Sequence, residues 1–194
     1  MGGFPTLSIG ANSFVPEGTF AEATAAFLRP DRSTVDELVK FLSTTNTGIV
    51  AHFYMDPEIQ GVLTATKYPH VSIADSLAMA DKAVGMAQAG VKNIVVLGVD
   101  FMSENVRAVL DAAGFKDVNV YRATSDEIGC SLAESADTQT YRNWLRKAST
   151  YPNPLHVVYI NTSLLTKARS HHMVPTITCT SSNVVRTILT AFAQ

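Results

Sequence analysis

The sequence predicts an α/β protein built from three-layer αβα domains with parallel sheets. Short apolar segments rich in Val, Ile and Ala recur along the chain, and each is followed by polar residues and then by an amphipathic segment. The ends of these segments recur every 20 to 25 residues, at His52, Ser76 and Phe101 and again at Asn161 and Ser181. An interval of that length holds one strand and one helix, which is the repeating unit of a parallel sheet.

The composition narrows the classes of partner. The chain has 194 residues, of which 46% are apolar and 16% are charged, and its net charge is −2. Because it has no basic run, nothing favours nucleic acid or an anionic membrane surface. Its longest apolar run, residues 94–99, is far shorter than the roughly 20 residues of a membrane span. Two cysteines do not form a disulfide framework, so we expect a reducing compartment.

Residues 1–32 are predicted to form a segment that wraps over the surface. Four glycines and three prolines interrupt regular structure there, and a short helix is expected near residues 20–28. A capped helix is predicted to start at Ser33, with its apolar face on Val35, Leu38 and Leu42.

The first predicted domain, residues 33–135, is organised around residues 48–60. This stretch begins as a buried strand, places His52 and Tyr54 at its end, and continues into a helix with Asp56 as N-cap and Pro57 as the first helical residue. Further strands are predicted at 71–74, 93–98 and 118–121, with helices that end at Gly90 and Gly114 and a polar loop over 124–134.

The second predicted domain, residues 136–194, repeats the pattern with fewer strands. A helix is expected over 141–148, strands over 156–160 and 176–179, and helices over 165–170 and from Val184 onwards. The first domain has four predicted strands and the second has two, so we expect the second domain to be truncated.

The candidate functional residues are the polar side chains at the strand ends. Each has a structural alternative when it is taken singly, because the histidine and tyrosines could belong to the core, the serines could cap helices and the asparagine could shape a turn. Together they fall on one edge of the sheet, where open α/β proteins bind ligands. Small hydroxyl and amide groups beside helix N-termini suit a carboxylate or phosphate, while histidine and tyrosine offer proton transfer. The residues are His52, Tyr54, Ser76, Tyr159, Asn161 and Ser181.

Cys130 lies in a polar loop, where its thiolate could act as a nucleophile or a metal ligand. The alternative is a small buried hydrophobe, which is the commoner state of a free cysteine. No second cysteine or histidine lies at chelating spacing, so a metal site would need ligands from elsewhere. Cys179 lies within a predicted strand and is interpreted as a core residue.

These motifs together resemble the quinolinate synthase (NadA) family, in its plant form. The resemblance covers residues 48–185 and depends on the order of several short signatures rather than on any one of them. The signatures are AHFYMDPEIQ from Ala51, ADSL from Ala74, GVDFMSE from Gly98, GCSLA from Gly129, VVYINTS from Val157, KA at Lys167 and CTSSN from Cys179.

The resemblance implies three αβα domains related by pseudo-threefold symmetry, with the active site at their centre. The family condenses iminoaspartate with dihydroxyacetone phosphate to quinolinate, and three cysteines, one from each domain, hold a [4Fe-4S] cluster. Carried over residue by residue, Cys130 matches the first cluster ligand, and His52, Tyr54, Tyr159 and Asn161 match catalytic-site residues. Ser76 and Ser181 match groups that bind substrate anions.

The resemblance also implies a homodimer at full length and a location in the chloroplast. The family's other two cluster cysteines lie beyond the segment that matches residues 179–183, so we expect this chain to be an N-terminal portion that carries one ligand of three. Two alternatives remain open. One is a doubly wound enzyme with Cys130 as nucleophile on a phosphorylated substrate, and the other is a non-catalytic truncated isoform that binds small anions.

Overall fold

The computed structural model describes residues 6–25 and 29–193, and it begins with a small antiparallel hairpin. Strand β1 (Thr6–Ile9) pairs with β2 (Phe14–Glu17), and helix α1 (Thr19–Thr24) follows. The sequence predicts a wrapping segment here without strands, so the hairpin was not predicted, and the wrapping itself stays a prediction. The side chains of the hairpin are largely exposed, 71% for Ile9. The predicted helix near residues 20–28 corresponds to α1, and positions 26–28 lie outside the described residues.

The first sheet contains four parallel strands flanked by four helices. In chain order these elements are α2 (Arg32–Thr44), β3 (Thr47–His52), α3 (Pro57–Ala65), β4 (Val71–Ala74), α4 (Ala78–Gln88), β5 (Asn93–Leu97), α5 (Asp100–Ala112) and β6 (Asn119–Arg122). The strand order is β4-β3-β5-β6, and every pairing is parallel. The predicted strands and helices of this region are confirmed to within a few residues.

Both faces of this sheet are covered, which confirms the three-layer αβα arrangement. Val50 of β3 and Val96 of β5 point into a core formed with α4 and α5. Their neighbours Ile49 and Ala51 point the other way, into a second core that contains Leu42 of α2 and Leu63 of α3. The two central strands, β3 and β5, are therefore apolar along most of their length, since successive side chains enter opposite cores.

Local sequence signals explain where the helices begin and end. Asp56 caps α3 by accepting a hydrogen bond from the Glu58 amide at 2.8 Å, and Pro57 is its first residue, as predicted. Helix α2 starts earlier than predicted, because Asp31 rather than Ser33 accepts from the Thr34 amide. Gly90 and Gly114 follow α4 and α5 with φ of 92° and 90°, which glycine adopts without strain.

The second set of elements contains a parallel pair of strands. Helices α6 (Ser131–Ala136) and α7 (Gln139–Ala148) precede β7 (His156–Tyr159), α8 (Leu164–Met173), β8 (Thr176–Cys179) and α9 (Val184–Phe192). Helix α6 is a correction, because it occupies part of the predicted polar loop. The domain boundaries at residues 32 and 135 stay a prediction.

Side chains from the second set complete the core of the first. Ile160, directly after β7, is 4% exposed and belongs to the core between the first sheet and α4 and α5. The backbone amide of Leu164 donates to Glu104 Oε2 of α5 at 2.8 Å. The two sets of elements are therefore in direct contact through α5 and α8. Among the described helices, none has the length and apolarity needed to cross a bilayer.

Candidate active site

The candidate site lies at the carboxyl ends of the parallel strands. His52 ends β3, which pairs with β4 on one side and with β5 on the other. The chain leaves β3 through α3 on one face of the sheet and leaves β5 through α5 on the other face. This change of side creates the crevice where doubly wound proteins bind ligands. Asp100 begins α5 directly after β5 and therefore borders the same crevice.

His52 is buried, and the backbone that follows it fixes the ring. Its Nδ1 atom accepts a hydrogen bond from the amide of Tyr54 at 3.2 Å, and its exposed fraction is 4%. Burial lowers the pKa of His52, while the negative charge of Asp75 opposes this shift. A neutral ring that accepts at Nδ1 carries its proton on Nε2, so it offers one hydrogen-bond donor. The Tyr54 ring lies 4.5 Å from the His52 ring, and 81% of Tyr54 is exposed.

Ser76 is buried, and its side chain does not cap helix α4, although its position just before the helix would allow this. Asp75 Oδ1 accepts from the amides of Leu77 and Ala78 at 2.9 and 2.8 Å and so caps the start of α4. Within the part of the chain that the structure describes, the Ser76 hydroxyl forms no hydrogen bond. Ser76 instead lines a cavity of about 360 Å³ between α4, α5 and α8.

Cys130 and Asn161 come together from the ends of different sheets. Cys130 immediately precedes α6, and the Asn161 side-chain amide lies 3.6 Å from its Sγ atom. Both residues are partly exposed. A small cavity of about 150 Å³ adjoins the thiol and is also lined by Asp100, Glu104 and Ser163. Cys130 is thus partly exposed while it packs against the core of the first sheet, whereas Cys179 is 3% exposed and burial raises its pKa.

Tyr159 and Ser181 form a third pair, at the ends of β7 and β8. The hydroxyls of Ser181 and then Thr180 lower the pKa of Tyr159, because hydrogen bonding stabilises the phenolate. Tyr159 is 40% exposed, and Ser181 lies on the surface. Ser181 does not cap α9, which begins after Asn183 and has no side-chain cap.

The structure therefore places six of the seven predicted residues in three pairs and sets Ser76 apart. His52 contacts Tyr54, Cys130 contacts Asn161, and Ser181 acts on Tyr159. Among the residues that the structure describes, no hydrogen bond links one pair to another. The catalytic and substrate-binding roles of these residues stay predictions.

A partly buried lysine beside this site is absent from the sequence-based candidates. Lys167 of α8 donates to the carbonyls of Ile160 and Thr162 at 2.8 and 2.6 Å and to Asn105 Oδ1 of α5 at 3.2 Å. Burial lowers the pKa of Lys167 to about 8, although Glu104 opposes this shift. Only its place in a recognised signature, KA, could have drawn attention to it.

The described residues can supply one ligand of a metal centre. Within residues 6–25 and 29–193, no three His, Cys, Asp or Glu side chains gather closely enough to hold a metal ion. Cys130 is partly exposed, and an amide is the side-chain neighbour of its sulfur, so it can offer a thiolate. The sulfur of Cys130 could therefore serve as one protein ligand of an iron–sulfur cluster, and the other ligands would have to come from outside the described residues.

Comparisons with known proteins agree with these motifs. The model of the NadA family, described as quinolinate synthetase A protein, matches residues 36–194. The chain is 62% identical to the chloroplastic quinolinate synthase of Oryza sativa subsp. japonica and 61% identical to that of Arabidopsis thaliana, in each case over 98% of the chain. A quinolinate synthase of Rippkaea orientalis is 34% identical over 89% of the chain. The chain spans 27% of the length of the two plant relatives.

Proposed function

Because the chain belongs to the NadA (quinolinate synthetase A) family, we propose that it forms part of a quinolinate synthase. The reaction is the condensation of iminoaspartate with dihydroxyacetone phosphate to quinolinate, the precursor of the pyridine ring of NAD. The contact between Cys130 and Asn161 carries this proposal on the structural side. It joins the ends of two separate sheets at one point, as a site shared between domains requires.

His52 and Tyr54 are proposed to serve proton transfer in this reaction. The neutral His52 ring carries its proton on Nε2, so it can donate to a substrate carbonyl or imine oxygen or nitrogen. Tyr54 is exposed beside it and can exchange protons with the substrate and with solvent. The burial that lowers the pKa of His52 keeps the ring neutral at pH 7, which is the form that this role needs.

Ser76 and Ser181 are proposed to bind the substrate carboxylate and phosphate groups. Neither hydroxyl caps a helix. The Ser76 hydroxyl forms no hydrogen bond with the described residues, and Ser181 lies on the surface beside Tyr159. Tyr159 and Asn161 lie between Cys130 and Ser181 along the chain and are proposed to contact the reacting atoms. The lowered pKa of Tyr159 favours its action as an acid.

Cys130 is proposed as one of three cysteine ligands of a [4Fe-4S] cluster. When it is bound, a cluster with one open iron position supplies a Lewis acid for the substrate. The chain's own contribution is the thiolate of Cys130 and the neighbouring amide of Asn161, which can donate to sulfur. We also propose that the full-length protein is a homodimer and, from the names of its plant relatives, that it acts in the plastid.

Quinolinate formation tests the proposal in a complete enzyme. A chimera is made in which this chain replaces the matching segment of the rice relative, and it is assayed with iminoaspartate and dihydroxyacetone phosphate after anaerobic iron–sulfur reconstitution. The chimera should form quinolinate, and His52→Gln should lower kcat/KM about 100-fold or more, within the usual range for a lost proton-transfer group. His172→Gln is the matched control, because His172 is exposed on α8.

Two results would contradict the proposal. One is a folded chimera with a reconstituted cluster that forms no quinolinate. The other is a His52→Gln chimera that keeps the turnover of the His172→Gln control. A covalent adduct between Cys130 and a phosphorylated substrate would instead support the alternative in which Cys130 is a nucleophile.

A further inference from the structure

We propose that Lys167 is a positioning residue, which holds the backbone on both sides of Asn161 and so keeps the Asn161 amide beside Cys130. The importance of that placement for catalysis rests on the proposed function, but the placement itself does not. Among the described residues, Lys167 forms no hydrogen bond with Cys130 or with Asn161 itself. Its hydrogen bonds are with the residues on either side of Asn161 and with Asn105.

The hydrogen bonds of Lys167 account for its whole donor capacity. An ammonium group has three N–H donors, and Lys167 meets three acceptors at 2.6 to 3.2 Å. Two of them are the carbonyls of Ile160 and Thr162, the residues directly before and after Asn161. Since one amine binds the carbonyls of both residues, it fixes the backbone from which the Asn161 side chain extends.

The third acceptor ties this segment to the first set of elements. Asn105 Oδ1 belongs to α5, and Asn105 is 7% exposed. Phe101, one turn earlier on α5, places its ring 5.6 Å from the Lys167 amine. Because α5 starts at the end of β5 and Cys130 packs against the same core, Lys167 links the two parts that carry Asn161 and Cys130.

The charges around Lys167 keep the amine protonated at neutral pH. Burial lowers its pKa to about 8, and the carboxylate of Glu104 on α5 opposes the shift. His171, one turn further along α8, lines the same cavity and is the other titratable side chain there. A neutral amine would turn a lone pair toward one of three oxygen acceptors, so the full set of hydrogen bonds requires the charged form.

The reactivity of Cys130 tests this inference without any enzymatic assay. The rate of Cys130 alkylation by iodoacetamide is measured in the 194-residue chain at pH 7, with peptide mapping to separate Cys130 from the buried Cys179. Asn161→Ala should change the rate by about threefold to tenfold, the effect of one lost hydrogen bond. Lys167→Met should change it in the same direction and by a similar factor. The double variant should match Asn161→Ala alone, because Lys167 acts through Asn161.

Two further variants keep the test decisive. Lys147→Met is the matched control, since Lys147 is an exposed lysine on α7, and it should leave the rate unchanged. Asn105→Leu removes a single acceptor from the other side, so it should give a partial change in the same direction even if Lys167→Met does not fold.

Three results would overturn the inference. The first is a rate in both folded Lys167→Met and Asn105→Leu chains that equals the unsubstituted rate. The second is a double variant in which the two effects multiply, and the third is an Asn161→Ala chain that reacts at the unsubstituted rate. If the thiol behaves as expected while the chimera forms no quinolinate, the proposed function fails and the role of Lys167 stands.

Discussion

At the residue scale, the neighbours Asp75 and Ser76 have different roles: Asp75 stabilises the start of helix α4, and Ser76 is proposed to bind a ligand. The carboxylate of Asp75 accepts both free amides at the start of α4, and the Ser76 hydroxyl accepts neither. We therefore expect Asp75→Ala to lower the free energy of unfolding by about 1 kcal/mol, the usual cost of a lost N-cap. Ser76→Ala should leave that free energy within about 0.5 kcal/mol of the original and should strongly reduce kcat/KM of the chimera.

Urea denaturation of the chain and turnover of the chimera measure the two effects separately. Asp75→Ala serves as the comparison for stability at the neighbouring position. A Ser76→Ala variant that unfolds as readily as Asp75→Ala but keeps full turnover would return Ser76 to a structural role.

His156 gives a prediction about acid stability. Its ring is 6% exposed, with Nε2 3.0 Å from the Tyr141 hydroxyl and Nδ1 3.1 Å from Thr176 Oγ1, and burial lowers its pKa. The unfolded chain takes up a proton near the ordinary pKa of about 6.5, whereas the folded ring takes it up only at lower pH. The stability that this histidine contributes is therefore complete above about pH 6.5 and is lost as the pH falls through its folded pKa.

The measurement compares the unsubstituted chain with His156→Gln by urea denaturation between about pH 7 and pH 5. The difference in unfolding free energy between them should shrink toward acid pH. His52 also has a lowered pKa, but it is present in both proteins, so its contribution cancels. A difference that grows toward acid pH would contradict the prediction.

At the residue scale, the sequence identifies the residues at strand ends but not those that hold them in place. His52 and Asn161 follow apolar segments, so their spacing already puts them at the sheet edge, whereas Cys130 is marked by the polar loop that contains it. Lys167 lies on a helix with polar neighbours, where a lysine normally faces solvent. Its burial depends on carbonyls five and seven residues earlier and on Asn105 of another helix, and no local pattern encodes that packing.

Two glycines in regular elements differ in the space around them. A Cβ atom on Gly48 of β3 would lie 2.7 Å from Met86 Sδ and 3.1 Å from the His70 carbonyl, whereas a Cβ on Gly85 of α4 meets no other atom within 4 Å. Gly48→Ala should therefore destabilise the chain by about 1–3 kcal/mol through overpacking. Gly85→Ala should stabilise it by about 0.5–1 kcal/mol, since alanine favours the helix.

Thermal and urea unfolding of the two variants check this pair, each acting as the control for the other. Equal effects of the same sign would show that the close approach of β4 to Gly48 does not constrain β3.

At the scale of elements, prediction succeeds where both faces of a strand are buried. The apolar stretches that become β3 and β5 are recognisable because each enters two cores. The hairpin of β1 and β2 escapes prediction, since four-residue exposed strands leave no apolar pattern and Pro16 argues against a strand. Helix α6 is missed for a similar reason, because none of its residues is buried.

For the whole molecule, Ile160 connects the second set of elements to the first. It is 4% exposed and packs in the core of the first sheet, although it follows β7. We expect Ile160→Ala to lower the free energy of unfolding by about 2–4 kcal/mol. Ile188→Ala is the control, because Ile188 on α9 is 40% exposed and should cost much less.

Circular dichroism and tryptophan fluorescence during urea denaturation test this prediction. The fluorescence follows the second set of elements, since Trp144 lies on α7. Both signals should follow one transition, which shifts together in Ile160→Ala. Two separate transitions in the unsubstituted chain would show that the contacts between α5 and α8 do not couple the two sets.

Iron and sulfide analysis is the most direct test of the central proposal, which is that Cys130 of this chain is one ligand of a cluster in a quinolinate synthase. The chimera with the rice relative is reconstituted anaerobically in three forms: unsubstituted, Cys130→Ser and Cys179→Ser. Cys179 is the matched control, because it is buried in β8. We predict about four irons per chain in the unsubstituted and Cys179→Ser proteins and a large loss of iron and sulfide in Cys130→Ser. A folded Cys130→Ser protein with the full iron and sulfide content would contradict the assignment of Cys130.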